Sequence, residues 1–244
     1  MNKGKKLYIP IAAALITVFY IWFIVLDFSR FSILDYTYDI FPSGSLKRIS
    51  VLLASSIAWL VGQDGLDTRD GNMMKYAFVF ACLGEAAFVL GRRVFGLIMF
   101  FICQVLLTVR NSRNCCRTFK HASKRQKKRL LIVSVMVFSV YAGALAYASG
   151  LTAFSNAAAA VYLYWSILNL SLFSAMACFI LRLLPERNAI IAGVGVFCFY
   201  CCDVLVGLDA VLEPGLPWLL ANSFIWVFYI PALLLLALSC YKFD

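Results

Sequence analysis

Gly195-Val-Phe-Cys-Phe-Tyr-Cys-Cys-Asp203 is a run of apolar and sulfur side chains that closes on a carboxylate, and residues 204–208 continue it as an apolar stretch. An ionisable group inside a membrane-length apolar segment costs several kcal/mol or more, so it marks function by default. The comparable residue elsewhere is Glu85, inside the apolar stretch 76–90. The chain therefore reads as all-α, a polytopic membrane bundle that holds these two carboxyls.

Composition supports that class. Of 244 residues, 63% are hydrophobic, the mean hydropathy is +0.87, and a soluble domain holds only about 45–50% apolar residues. The formal net charge of +10 would suggest nucleic acid in a soluble chain. In a membrane protein it reads as basic loops that set topology, and nucleic acid is not an expected partner. Most of the nine cysteines lie inside apolar runs, where thiols behave as small hydrophobes. The Cys198-x-x-Cys201-Cys202 cluster is read as packing, because the single His leaves no Cys/His metal spacing. Neither a metal nor a cofactor is expected.

Eight spans are expected, at about 7–26, 46–62, 76–90, 94–109, 130–149, 157–184, 188–208 and 216–241, in one integral membrane domain covering 1–244. The first is taken as a retained helix, because it is long for a signal peptide and no small-x-small cleavage site follows it. Residues 27–45 read as a loop or interfacial stretch, 63–75 as a polar loop with turn signals, and Gly91-Arg92-Arg93 as a tight turn. Residues 110–129 read as the longest polar loop, with nine Lys and Arg, suited to anionic lipid head groups. Cys115-Cys116 there is a candidate for palmitoylation, weighed against unmodified thiols. Residues 150–156 read as a short uncharged loop. With the N-terminus inside, 17 of the 22 Lys and Arg fall on the inner side. Both termini are therefore expected in the cytoplasm, in the inner membrane if the source is bacterial.

That topology brings several polar residues to similar depth. Glu85 lies five residues from Leu90, Asp203 five from Leu208, and Asn222 six from the start of the eighth span. At 1.5 Å per residue these sit roughly 8 Å below the outer boundary. Gln104 and Tyr229 lie deeper. Gly195, Phe199, Asp203 and Gly207 recur at helical spacing, as do Gly96, Phe100 and Gln104, and Asn222, Trp226 and Tyr229. Glycines on these stripes let helices approach closely. Gln104, Asn169, Asn222 and Tyr229 suit interhelical hydrogen bonding. The two acids suit acid/base work, since desolvation and a second carboxylate both favour a neutral carboxyl. Asp203 and Glu85 are expected to approach each other across the seventh and third spans.

The pattern Gly84-Glu85, Gly96-x3-Phe100-x3-Gln104, Gly195-x3-Phe199-x3-Asp203 and Phe228-Tyr229 resembles the YhhN family, the lysoplasmalogenases and their relatives. The resemblance runs from about residue 46 to 239 in order and spacing, and Lys47 echoes a Lys-Pro-Leu start of the second helix without its Pro. Glu85 stands where that family usually has Asp, Gln104 where it has His, Leu107 where it has Tyr, Cys202 where it has Ser, and Ala232 where it has Gln. The resemblance implies an eight-helix membrane fold that hydrolyses the vinyl ether bond of lysoplasmalogens to a fatty aldehyde and a glycerophospho-head group. It implies catalysis by Asp203 and Glu85, with either as the acid, and substrate contacts from Gln104, Tyr229, Asn222 and Lys47. Gln104 can orient water or a head group but cannot transfer a proton as His does. The expected partner is a membrane lipid or lysophospholipid. The competing reading is a protein of the same fold that binds a lipid or amphiphile without hydrolysis, with a transporter or sensor behind it.

Overall fold

The computed structural model describes residues 3–33, 41–151 and 156–243. Among them the chain forms α1 (Lys3–Ile33), α2 (Ser43–Val61), α3 (Thr68–Val89), α4 (Arg93–Asn111), α5 (Cys115–Lys120), α6 (Lys124–Leu151), α7 (Asn156–Leu181), α8 (Glu186–Asp209) and α9 (Leu216–Leu238). The helices follow from the solvent: in hydrocarbon every backbone N–H and C=O must be satisfied within the segment. Six of them, α1, α2, α4, α7, α8 and α9, are long and apolar enough to cross a membrane. The protein is an all-α, integral, multi-pass membrane protein.

Several expected loops are partly helical. Residues 27–33, placed in a loop by hydropathy, are the last turns of α1, and α2 already begins at Ser43; the rest of that expected loop, 34–40, lies outside the described residues. The polar loop 63–75 gives way to α3 at Thr68. The loop 110–129 contains α5 and the first turns of α6. In α6 the opening Lys, Arg and Gln are good helix formers, so low hydropathy ends the expected span without ending the helix. The expected loop 150–156 is reached by α6 at Leu151, and its residues 152–155 lie outside the described residues. The tight turn between α3 and α4 is as expected, with Gly91 at φ 71°, a conformation that glycine adopts without strain.

Two compact units make up the chain. The first takes Met1–Gly71 and Val194–Asp244, and so holds α1, α2, α9 and the α8 turns that carry Asp203. Within it α1 runs antiparallel to α2. Tyr8 and Ser56 share a hydrogen bond of 2.7 Å, and Lys5 pairs with Asp64 at 2.8 Å. The Tyr20 hydroxyl donates to the Val227 carbonyl at 3.0 Å, tying α1 to α9. Gly195 lets α8 lie against Leu236 of α9, where a Cβ would come within 3.0 Å of its side chain.

The second unit, Asn72–Gly193, holds α4 to α7, most of α3 and the start of α8. A Cβ on Gly84 would meet the Phe100 ring at 2.8 Å, and one on Gly96 the Phe88 ring at 2.9 Å, so α3 and α4 pack through these glycines. Tyr141 and Ser166 join α6 to α7 at 2.6 Å, and Gln126 Nε2 donates to the Ile180 carbonyl at 3.0 Å.

In the first unit Gly71 lies against the backbone of Gly62, where a Cβ would collide with the Gly62 carbonyl oxygen. Gly71→Ala is expected to lower stability by about 1–3 kcal/mol or more, since backbone on both sides must shift. Gly193→Ala in α8 meets nothing within 4 Å and should be neutral or stabilising, by up to about 1 kcal/mol. Thermal unfolding of the two variants in detergent checks the contrast. Equal melting temperatures would contradict it.

Candidate functional site

In the first unit polar residues gather at one end of four largely apolar helices. On α1, Phe23 and Asp27 stand four apart and share a face, as do Ser43 and Lys47 on α2. The two faces meet. Ser43 Oγ donates to Asp27 Oδ1 at 2.6 Å, and Lys47 Nζ lies 2.7 Å from Asp27 Oδ2. Each carboxylate oxygen thus has its own partner. Asp27 is 2% exposed and Lys47 4%, so this is a buried ion pair. The Lys47 ammonium also lies 5.7 Å from the Phe23 ring centroid and 5.2 Å from that of Trp226 on α9, within cation–π range of both.

From Trp226 the site continues along α9 and α8. Tyr229 stacks edge-on against Trp226 at 5.6 Å and against Phe199 of α8 at 5.7 Å. Asn222 Nδ2, one turn before Trp226, donates to Asp209 Oδ1 at 3.1 Å. These contacts fix an antiparallel register in which Phe199 meets Tyr229 and Asp209 meets Asn222. Asp203 lies between them, four residues after Phe199 on the same face, and falls level with Trp226. Tyr229 and Asn222 are buried, and Asp203 is half-buried.

Four of the six residues singled out from the sequence, Lys47, Asp203, Asn222 and Tyr229, therefore belong to the first unit, on α2, α8 and α9. The other two belong to the second. Glu85 is half-buried on α3 beside Gly84, and Gln104 is fully buried on α4, where its backbone carbonyl accepts from Thr108 Oγ1 at 2.8 Å. Sequence reasoning missed Asp27 and Ser43, since both fell in the expected loop. The available signal was Asp27 closing the first apolar run and Lys47 opening the second. Opposite charges flanking a short connection are well placed to pair. Among the described residues no group of three or more His, Cys, Asp or Glu is placed to hold a metal ion.

The chemistry available at this end is specific. A buried cation is held by a carboxylate that is itself held by a hydroxyl. Beside it stand an indole, a phenol and a half-buried carboxyl, and the helices below are apolar. Residues 45–240 match the family model described as YhhN family. That segment contains Lys47, Glu85, Gln104, Asp203, Asn222 and Tyr229; Asp27 and Ser43 precede it. No curated protein and no solved structure matches the chain.

Proposed function

The chain belongs to the YhhN family, and on that premise we propose that it is a lysoplasmalogenase-like hydrolase that cleaves the vinyl ether of a single-chain phospholipid. The observation that carries this reading is the polar end of the first unit, where Asp203 falls level with Trp226 and the buried Asp27–Lys47 pair. A head group suits the polar end, and a single tail suits the apolar helices, so the substrate need not leave the bilayer to react.

Vinyl ether hydrolysis begins when an acid protonates the β-carbon. The resulting oxocarbenium ion adds water, the water loses a proton to a base, and the hemiacetal collapses to an aldehyde and an alcohol. The acid and base roles parallel those of the two carboxyls of glycosidases. Asp203 and Glu85 are the carboxyls assigned to them. Lys47, Tyr229 and Asn222 are assigned to the substrate, and Gln104 to water or head-group orientation. Release of fatty aldehyde from lysoplasmalogen by the purified full chain tests the proposal. Binding of the lipid without aldehyde release would favour the non-catalytic reading instead, which Gln104 supports by standing where the family usually has a proton-transferring His.

The same proposal includes eight spans, with both termini and residues 110–129 in the cytoplasm, supported by the Lys and Arg distribution. The exposed Lys124, Arg125, Lys127, Lys128 and Arg129 at the start of α6 suit anionic lipid head groups there. Cys116 on α5 is exposed and gives a natural handle. Burial, and after it the neighbouring Cys116 thiol, push the Cys115 pKa above its ordinary value, which leaves less thiolate to react near pH 7. A membrane-impermeant maleimide is expected to modify Cys116 ahead of Cys115, in inside-out vesicles and not in intact cells. Labelling of Cys116 from outside intact cells would reverse the topology.

A further inference from the structure

We propose that Asp27 is a positioning residue that acts through Lys47, and that α1 is thereby a working part of the site and not only a membrane anchor. The inference rests on the reading of this end of the first unit as a lysophospholipid site.

Burial energy gives no reason for an ion pair here. A buried pair replaced by apolar residues of similar volume is often no less stable, so an apolar contact would join α1 to α2 at least as well. A lysine near a helix end ordinarily runs its stem along apolar surface and places the ammonium in water. Lys47 does the opposite, and its side chain is 5% exposed. The Lys5–Asp64 pair shows the ordinary arrangement, at 2.8 Å but with side chains 25% and 35% exposed.

What the pair achieves is placement. Ser43 Oγ fixes one Asp27 oxygen at 2.6 Å, and the other takes the ammonium at 2.7 Å. The charge is then held 5.2 Å from the Trp226 centroid, on the α9 face that also carries Asn222 and Tyr229 and level with Asp203. Asp27 is tied to these α9 groups through Lys47. It also precedes the matched segment 45–240, so the family portion of the chain draws the counter-ion for its Lys47 from outside itself.

The test uses the purified full chain in detergent and a 1-O-alkyl lysophospholipid, which has no vinyl ether to cleave. Asp27→Asn is expected to weaken binding about tenfold or more, as when one partner of a buried charge pair is truncated. Asp27→Glu should recover most of that loss. The double variant Asp27→Leu/Lys47→Met should unfold at the wild-type temperature or above it and still bind poorly. Wild-type binding by the double variant, or by Asp27→Asn, would overturn the proposal and leave the pair a structural contact. If the wild type binds no lysophospholipid, the proposed function fails, and positioning is still read from acetylation of Lys47 by acetic anhydride, followed by mass spectrometry. Loss of the counter-ion in Asp27→Asn should then raise Lys47 modification about tenfold, with Asp27→Glu returning it to the wild-type rate. Equal modification in all three proteins would overturn the proposal.

Discussion

Asp203→Asn is expected to abolish vinyl ether cleavage, with turnover falling about 100- to 10,000-fold, the range that a positioned general acid or base contributes. The substitution keeps the shape of the side chain and removes its chemistry. An amide does not protonate an enol ether carbon, and it carries no charge to set against an oxocarbenium ion. The fold should survive, because contacts on either side of Asp203 still tie α8 to α9. Phe199 packs on Tyr229, and Asn222 donates to Asp209. Removal of an ionisable group from an apolar environment also relieves desolvation, so thermal stability should be unchanged or higher. Glu85 is expected to behave differently under graded substitution. Glu85→Asp keeps a carboxyl and installs the residue usual in the family, and should retain more turnover than Glu85→Gln. Aldehyde release by the wild type and these three variants, with unfolding temperatures measured alongside, separates the outcomes. Full activity in Asp203→Asn would remove Asp203 from the chemistry. An inactive wild type that binds lipid, with a stability gain in Asp203→Asn, would favour a non-catalytic protein of this fold.

Legibility from sequence divided along a physical line. Properties local to one helix were readable. Hydropathy located the apolar helices because the bilayer forces each segment to satisfy its own backbone. The i, i+4 stripe Gly195-Phe199-Asp203 puts those residues on one face of α8, and the structure packs Gly195 and Phe199 of that face against α9. The Gly96-Phe100 stripe likewise points to close helix approach, and the structure supplies the partner, with the Phe100 ring against Gly84 of α3. Hydropathy was a poor guide to helix ends. The last turns of α1 and the first of α6 are helical although polar residues interrupt them. Relations between segments were not readable either. Asp27 looked like the first residue of a loop, and Lys47 like a basic opening of the second span and, by resemblance, a substrate contact. That they form one buried pair depends on α1 and α2 being antiparallel with Phe23 and Trp226 closing over the ammonium, and neither segment carries that information alone.

The same pair sets the largest expected effect on stability. Lys47→Met should destabilise the protein by about 3–5 kcal/mol, because the Asp27 carboxylate, 2% exposed, would keep Ser43 and lose its counter-ion. Asp27→Leu should have an effect of similar size, because the ammonium beside the Phe23 and Trp226 rings would lose its carboxylate. Ser43→Ala removes one hydrogen bond to the carboxylate and should be milder, about 1–3 kcal/mol. Combining Asp27→Leu with Lys47→Met removes both charges and replaces them with side chains that pack in an apolar environment. That double variant should return to the wild-type value or exceed it, by about 1–4 kcal/mol at most. The cycle is therefore strongly non-additive, and its interaction energy should rival the single losses themselves, well beyond the few tenths expected of independent sites. Unfolding of the four proteins in one detergent, at one pH and ionic strength, measures it. Because the pair is buried, raising salt should change the coupling little. Additive losses in the double variant, or a coupling that disappears at high salt, would mean that the two groups meet water in the folded protein and that Lys47 is not the fixed, buried cation around which this end of the unit is built.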